Sequence, residues 1–204
     1  MPSSFMTKTM SDPIQLIYAG GTFGSYGKPL APLSADIFYL RYKKLLAEQG
    51  NTTGSPEISW LDNTLIKDSS QLTPVDFVHF YQLLLNAYNQ GNKRFVLISG
   101  TDTLSYLGAF LAEAFAGSDI CIVVTGSMRP LLDSEVIHSY DIDAHSDAWG
   151  NLNDSLKLAA AGESGVKISF GGESWPAQTV QKFTVMTLWH LLVTLEQRIQ
   201  PTVI

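Results

Sequence analysis

At 204 residues the chain is long enough for one sizeable α/β domain and short for two. Hydrophobic residues make up 45% and charged residues 16%, which excludes a disordered chain and points to a packed globular protein. The formal net charge of -6 disfavours nucleic acid and anionic lipid as partners, and no apolar stretch is long enough for a membrane span.

Residues 1–12 are polar, lack the apolar centre of a signal peptide and read as a flexible N-terminal segment ahead of a single domain over 13–204. Residues 14–18 are continuously apolar apart from Gln15, a first buried strand that runs into Ala19-Gly20-Gly21-Thr22. Gly27, Pro29 and Pro32 mark a loop, and Ser34 is placed to cap a helix reaching residue 47. A polar turn over 50–56 leads to a strand over 57–65, closed by Lys67-Asp68-Ser69-Ser70. Thr73-Pro74-Val75-Asp76 has the form of a helix start: a capping Thr, Pro in the first turn, an acid three residues on. That helix carries Phe77, Phe80, Leu84 and Ala87 on one face and stops near Gly91.

Residues 95–98 form the next apolar strand, followed by Ser99-Gly100-Thr101-Asp102-Thr103-Leu104 and a helix over 105–116. Thr101 and Asp102 either cap that helix or stand as hydroxyl and carboxylate at a strand's carboxyl end, where open α/β sheets bind ligands. A β-branched run over 119–125 ends in Gly126-Ser127-Met128-Arg129-Pro130. It contains Cys121, the lone cysteine, read as a buried core residue; no intrachain disulfide is possible, and a reducing, cytoplasmic setting is expected. Residues 131–145 read as a long polar loop, solvated or folded over the site. His138, His145, Asp141 and Asp143 have no fixed spacing there, so no metal is expected.

A helix over 151–161 and a strand over 166–170, ending in Gly171-Gly172, complete the alternation. Strands that are apolar throughout, alternating with helices, predict a doubly wound, mostly parallel sheet with helices on both faces, a three-layer Rossmann-like α/β architecture. The tail over 183–200 carries Val185, Met186, Leu188, Trp189, Leu191, Leu192 and Val193 and reads as an apolar terminal helix. It packs on its own sheet or forms a subunit interface, and a homodimer is favoured.

Several strand tips thus present hydroxyl and acid groups. Thr22 and Thr101 are candidate nucleophiles, Asp102 a carboxylate partner, and Ser69 and Ser70 hydrogen-bond donors. A threonine hydroxyl needs a nearby base to attack, and backbone amides at glycine-rich tips can hold an oxyanion. A dinucleotide site is disfavoured, because Gly20-Gly21-Thr22-Phe23-Gly24 lacks the fingerprint spacing and no acid is placed for the ribose.

The set Gly20-Gly21-Thr22, Asp68-Ser69-Ser70, Gly100-Thr101-Asp102-Thr103-Leu104, Thr125-Gly126-Ser127 and Ser146-Asp147 with Asn151-Leu152 resembles the amino-terminal domain of bacterial-type L-asparaginases. The resemblance covers residues 14–182 and implies hydrolysis of the side-chain amide of L-asparagine or a related small amide, with no cofactor. It assigns Thr22 as the nucleophile and Thr101 as the group that positions the amide and the water, activated through Lys182. It assigns Asp102 to the substrate's α-amino group and Ser69 to its α-carboxylate, with Gly100 and Ser70 beside them. Lys182 otherwise reads as a solvated surface lysine.

The family's flexible loop carries a Tyr where this sequence has Leu30; Tyr26 is either its substitute or an exposed loop aromatic. The 131–145 loop is longer than the family's link. No residues here match the second domain that completes the family's pocket. These departures leave open a catalytically weak binding or sensor protein for a small amino acid such as aspartate or asparagine.

Overall fold

Strands with apolar side chains on both faces belong in the middle of a sheet, and three of them lie there. The computed structural model describes residues 12–49, 57–133, 142–182 and 192–194. Within them β1 (Ile14–Tyr18) and β6 (Cys121–Thr125) are buried at every position, and β5 (Arg94–Ile98) at every position but Arg94. With β4 (Ile58–Trp60), β7 (Gly165–Phe170) and β8 (Glu173–Pro176) they form a six-stranded sheet in the order β4-β1-β5-β6-β7-β8. Every pairing is parallel except the last, in which β8 returns antiparallel beside β7.

The two-residue alternation sends each strand's side chains into two separate cores. Leu16, Tyr18, Val96, Ile98 and Val123 meet Phe38 and Tyr42 of α1 (Ala35–Gln49) and Leu152 of α4 (Ala148–Ala161). Ile17, Phe95, Leu97, Ile122 and Val124 meet Phe80 and Leu84 of α2 (Pro74–Asn89) and Leu107 and Leu111 of α3 (Leu104–Ala114). The three-layer, mostly parallel α/β architecture is thus as the sequence predicts. Among the described residues no helix is long and apolar enough to cross a membrane.

Smaller elements depart from the sequence reading. A hairpin of β2 (Ser25–Tyr26) and β3 (Ala31–Pro32) lies within the segment read as loop. The strand expected over 57–65 shortens to β4, and α4 begins at Ala148, ahead of the expected 151. The helix expected over 183–200 is corrected at its one described stretch. There β10 (Leu192–Thr194) runs antiparallel to β9 (Val180–Lys182). The strand β9 stands outside the main sheet with an open edge of peptide groups, and β-branched Val193 and Thr194 suit the pairing. The rest of that tail, residues 134–141 with His138 and Asp141, and the N-terminal segment before Asp12 lie outside the described residues.

The start of α2 follows the sequence signal and adds to it. The Thr73 backbone N–H and Oγ1 both donate to Asp76 Oδ2 at 2.8 Å. The carboxylate is also gripped by Lys67 Nζ, at 2.8 Å to Oδ1 and 2.9 Å to Oδ2. The Lys67 hydrogen bond, aided by those from Thr73, holds the Asp76 carboxyl below its ordinary pKa against the opposing effect of burial. The native value lies below the unfolded one, so this stabilisation is complete above the unfolded pKa of about 3.9 and is lost as acid carries pH down through the native value. Asp76→Asn is expected to cost about 1–2 kcal/mol near neutrality, a fall in Tm of roughly 3–6 °C. In thermal unfolding from pH 8 to pH 3, the gap between the two proteins should hold down to pH of about 5 and close below it. A gap independent of pH would remove the ion pair from the account.

Candidate active site

The site grows out of two backbone contacts. At the carboxyl end of β1, Gly20 and Gly21 have φ of 103° and 75°, values that favour glycine. The Gly21 N–H donates to the Lys67 carbonyl at 3.0 Å, and the Lys67 N–H to the Ala19 carbonyl at 3.2 Å, joining this tip to the loop after β4. A methyl group on Gly21 would lie 2.4 Å from the Gly100 Cα, and one on Gly100 2.4 Å from the Ser69 Oγ. The tips of β1 and β5 therefore touch backbone to backbone, and the Ser69 side chain packs directly on Gly100. Thr22 and Thr101 are the residues that follow the two touching glycines.

Gly100→Ala forces a methyl into Ser69 and should cost about 2 kcal/mol, roughly 4–8 °C in thermal unfolding. An unchanged Tm would mean that the contact yields easily.

Thr22 opens a short 3-10 turn with Phe23 and Gly24 buried, and its own side chain is half-buried. The buried Ser25 Oγ donates back to the Gly21 carbonyl at 2.8 Å, and the Leu131 N–H donates to the Phe23 carbonyl at 2.9 Å. The turn is thus held from both sides, whereas no described residue hydrogen-bonds the Thr22 hydroxyl.

Thr101 has a partner from far along the chain. Lys182, in β9, donates from Nζ to Thr101 Oγ1 at 2.9 Å and to Asp102 Oδ1 at 2.7 Å. The lysine side chain is 25% exposed and the aspartate 55%. This geometry sets aside the capping and free-lysine readings left by the sequence. Lys182 is not a free surface lysine, and the N-cap of α3 is Thr103, with no hydrogen bond from Thr101 or Asp102 side chains to the first helical turn among the described residues. Ser69 is buried, and its Oγ accepts the Asp102 N–H at 3.2 Å, which leaves the hydroxyl proton to donate elsewhere.

Two candidates make no hydrogen bond to this cluster. Ser70 is exposed and spends both its N–H and its hydroxyl on Asp68 Oδ1, at 2.9 and 2.8 Å. Tyr26 is half-buried in β2, paired with Ala31 across the hairpin. Two groups that the sequence reading named without a role serve as supports. Lys67 is one. The other is Asn151, whose Nδ2 donates to the Gly126 carbonyl at 2.9 Å and to Asp147 Oδ2 at 3.0 Å, while its Oδ1 accepts the Gly171 N–H at 2.9 Å. Asp147 in turn accepts the Met128 and Arg129 N–H groups. These two side chains lock the tips of β6 and β7 to α4. The acid at the start of α4 was the available signal for that role.

Residues 13–189 match the family model described as Asparaginase, N-terminal. The chain belongs to the asparaginase family. Its relatives include an L-asparaginase of Thermococcus kodakarensis, 30% identical over 154 residues, covering 74% of this chain and 42% of the relative. L-asparaginase 1 of Escherichia coli is 28% identical over 149 residues, covering 72% of this chain and 40% of that protein. The chain therefore spans well under half the length of these relatives. Among solved structures, the thermostable L-asparaginase from Thermococcus kodakarensis superposes with a TM-score of 0.65 at 28% identity, over 83% of this chain and 47% of that one. An L-asparaginase I from Vibrio cholerae, at 22% identity, shares the fold with a TM-score of 0.66, over 85% of this chain and 49% of that one. Asparaginase-family membership accounts for the order of the glycine-rich tips.

Proposed function

We propose that this chain is an amidohydrolase of the asparaginase type, converting L-asparagine or a related small amide and water to the acid and ammonia. The observation that supports it is the reach of Lys182 to Thr101 and Asp102 across a gap of 80 residues in sequence. The Thr22 Oγ attacks the amide carbon, the oxyanion is held by backbone N–H groups at the glycine tips, and ammonia leaves to give an acyl-enzyme. Lys182 fills an acceptor position on Thr101 Oγ1, so the Thr101 proton is directed towards the cleft, where it orients the amide and then the hydrolytic water. Asp102, half-exposed, receives the substrate's ammonium, and Ser69 donates its free hydroxyl proton to the α-carboxylate. The apolar sequence over 183–195 and the buried Cys121 thiol support a cytoplasmic homodimer as part of this reading.

The second reading, a binding or sensor protein for the same small amino acids, is favoured by one observation: no described residue reaches the Thr22 hydroxyl as a base. Both readings are separated by ammonia release from L-asparagine, L-glutamine and small amides, run beside calorimetry with L-aspartate. Turnover supports the hydrolase, binding without turnover supports the sensor, and the absence of both removes both.

A further inference from the structure

We propose that Lys67 is a positioning residue for this site, its ion pair with Asp76 fixing the loop that carries Ser69 and the turn that carries Thr22. The inference rests on the reading of Ser69 and Thr22 as substrate-facing groups. It goes beyond that reading, because Lys67 itself touches neither the substrate position nor the Lys182 cluster.

The argument starts from the helix. Phe80 and Leu84 anchor α2 in the core, and its first turn holds Asp76 through Thr73. The Asp76 side chain is 9% exposed and that of Lys67 34%, so removing the lysine's charge leaves a largely buried carboxylate without its ion-pair partner. A rigid helix end thereby grips the lysine side chain with both carboxylate oxygens. The same residue's backbone grips β1: its carbonyl accepts from Gly21 and its N–H donates to Ala19.

Between Lys67 and Thr73 the chain makes a closed turn. The Gln71 N–H bonds the Asp68 carbonyl at 3.0 Å, and the Leu72 N–H the Ser69 carbonyl at 3.1 Å. Ser69 rides on that turn and meets Gly100 and the Asp102 N–H. Lys67 is thus the point where the helix, the Thr22 strand tip and the Ser69 turn are tied together. A turn tied only by backbone bonds opens locally at low cost, and the ion pair raises that cost.

The test compares Lys67→Met, which keeps the stem and removes the charge, with Lys67→Arg, which keeps both. Hydrogen exchange is followed at the Gly21 and Asp102 amides, which report on the two contacts without needing activity. L-Aspartate affinity and steady-state kinetics on L-asparagine are measured alongside. In the Met variant, exchange at these two amides should quicken by about tenfold or more beyond the change at amides of β5 and β6, which report any loss of global stability. The L-aspartate Kd and the KM should rise about tenfold while kcat moves by less than about threefold, and Lys67→Arg should recover most of the loss. Unchanged exchange at Gly21 and Asp102 in a folded Met variant overturns the proposal, as does loosening spread evenly over the sheet. Should the Met variant fail to fold, Asp76→Asn opens the same pair from the other side and is read in the same way. A wild-type protein that neither binds nor turns over these ligands removes the proposed function alone, and the exchange arm then decides the role of Lys67.

Discussion

Thr22→Ala is expected to reduce ammonia release from L-asparagine by about four orders of magnitude while leaving L-aspartate affinity within roughly threefold. Removing the hydroxyl deletes the atom that would form the acyl bond, and no neighbouring hydroxyl occupies the same turn. Ser25, the nearest alternative, is buried and donates to the Gly21 carbonyl. The fold should survive, since Thr22 is half-buried and the turn is held by Ser25 and Leu131 rather than by the Thr22 side chain. A coupled ammonia assay and calorimetry on one preparation check both halves. Turnover unchanged in the variant would remove Thr22 as nucleophile, and with it the covalent route.

Lys182→Met should lower kcat by about three orders of magnitude with little change in stability. The methionine keeps the length and apolar stem of the side chain but cannot donate to Thr101 or pair with Asp102. With no ammonium in place, the Thr101 hydroxyl is free to rotate, and its proton is no longer directed into the cleft. Asp102 is 55% exposed, so loss of the ion pair costs no more than about 1 kcal/mol, and a Tm within roughly 4 °C of the parent is expected. L-Aspartate binding should persist, because Asp102 keeps its charge. A Lys182→Met protein as fast as its parent would end the case for a lysine-activated Thr101.

The layers of the fold were readable because the central strands are apolar on both faces, and the capped start of α2 because Thr73, Pro74 and Asp76 stand at the required spacing. The edges were not. β8 is an exposed strand of Glu173, Ser174, Trp175 and Pro176 with no apolar alternation, held by pairing with β7 that only the fold reveals. At the site, Thr101 and Asp102 could be located at a strand tip from local pattern, but setting aside a capping role required seeing Lys182 reach them from a different part of the chain. The approach of Lys182 depends on how the chain passes from β7 through β8 and the turn before β9, so local pattern does not yield it and only the family resemblance pointed to it. The role of Lys67 was invisible for a similar reason. Its partner Asp76 already had a sufficient local explanation as a helix-capping acid.

The bare contact between Gly21 and Gly100 bears on how the proposed site can be reshaped. Neither glycine admits an added atom without displacing its neighbour, so the two threonine-bearing tips are held at backbone contact distance. Libraries aimed at new amides gain little from these two positions. Leu30, exposed in the β2–β3 hairpin and outside that contact, is a position where variation leaves the two tips undisturbed.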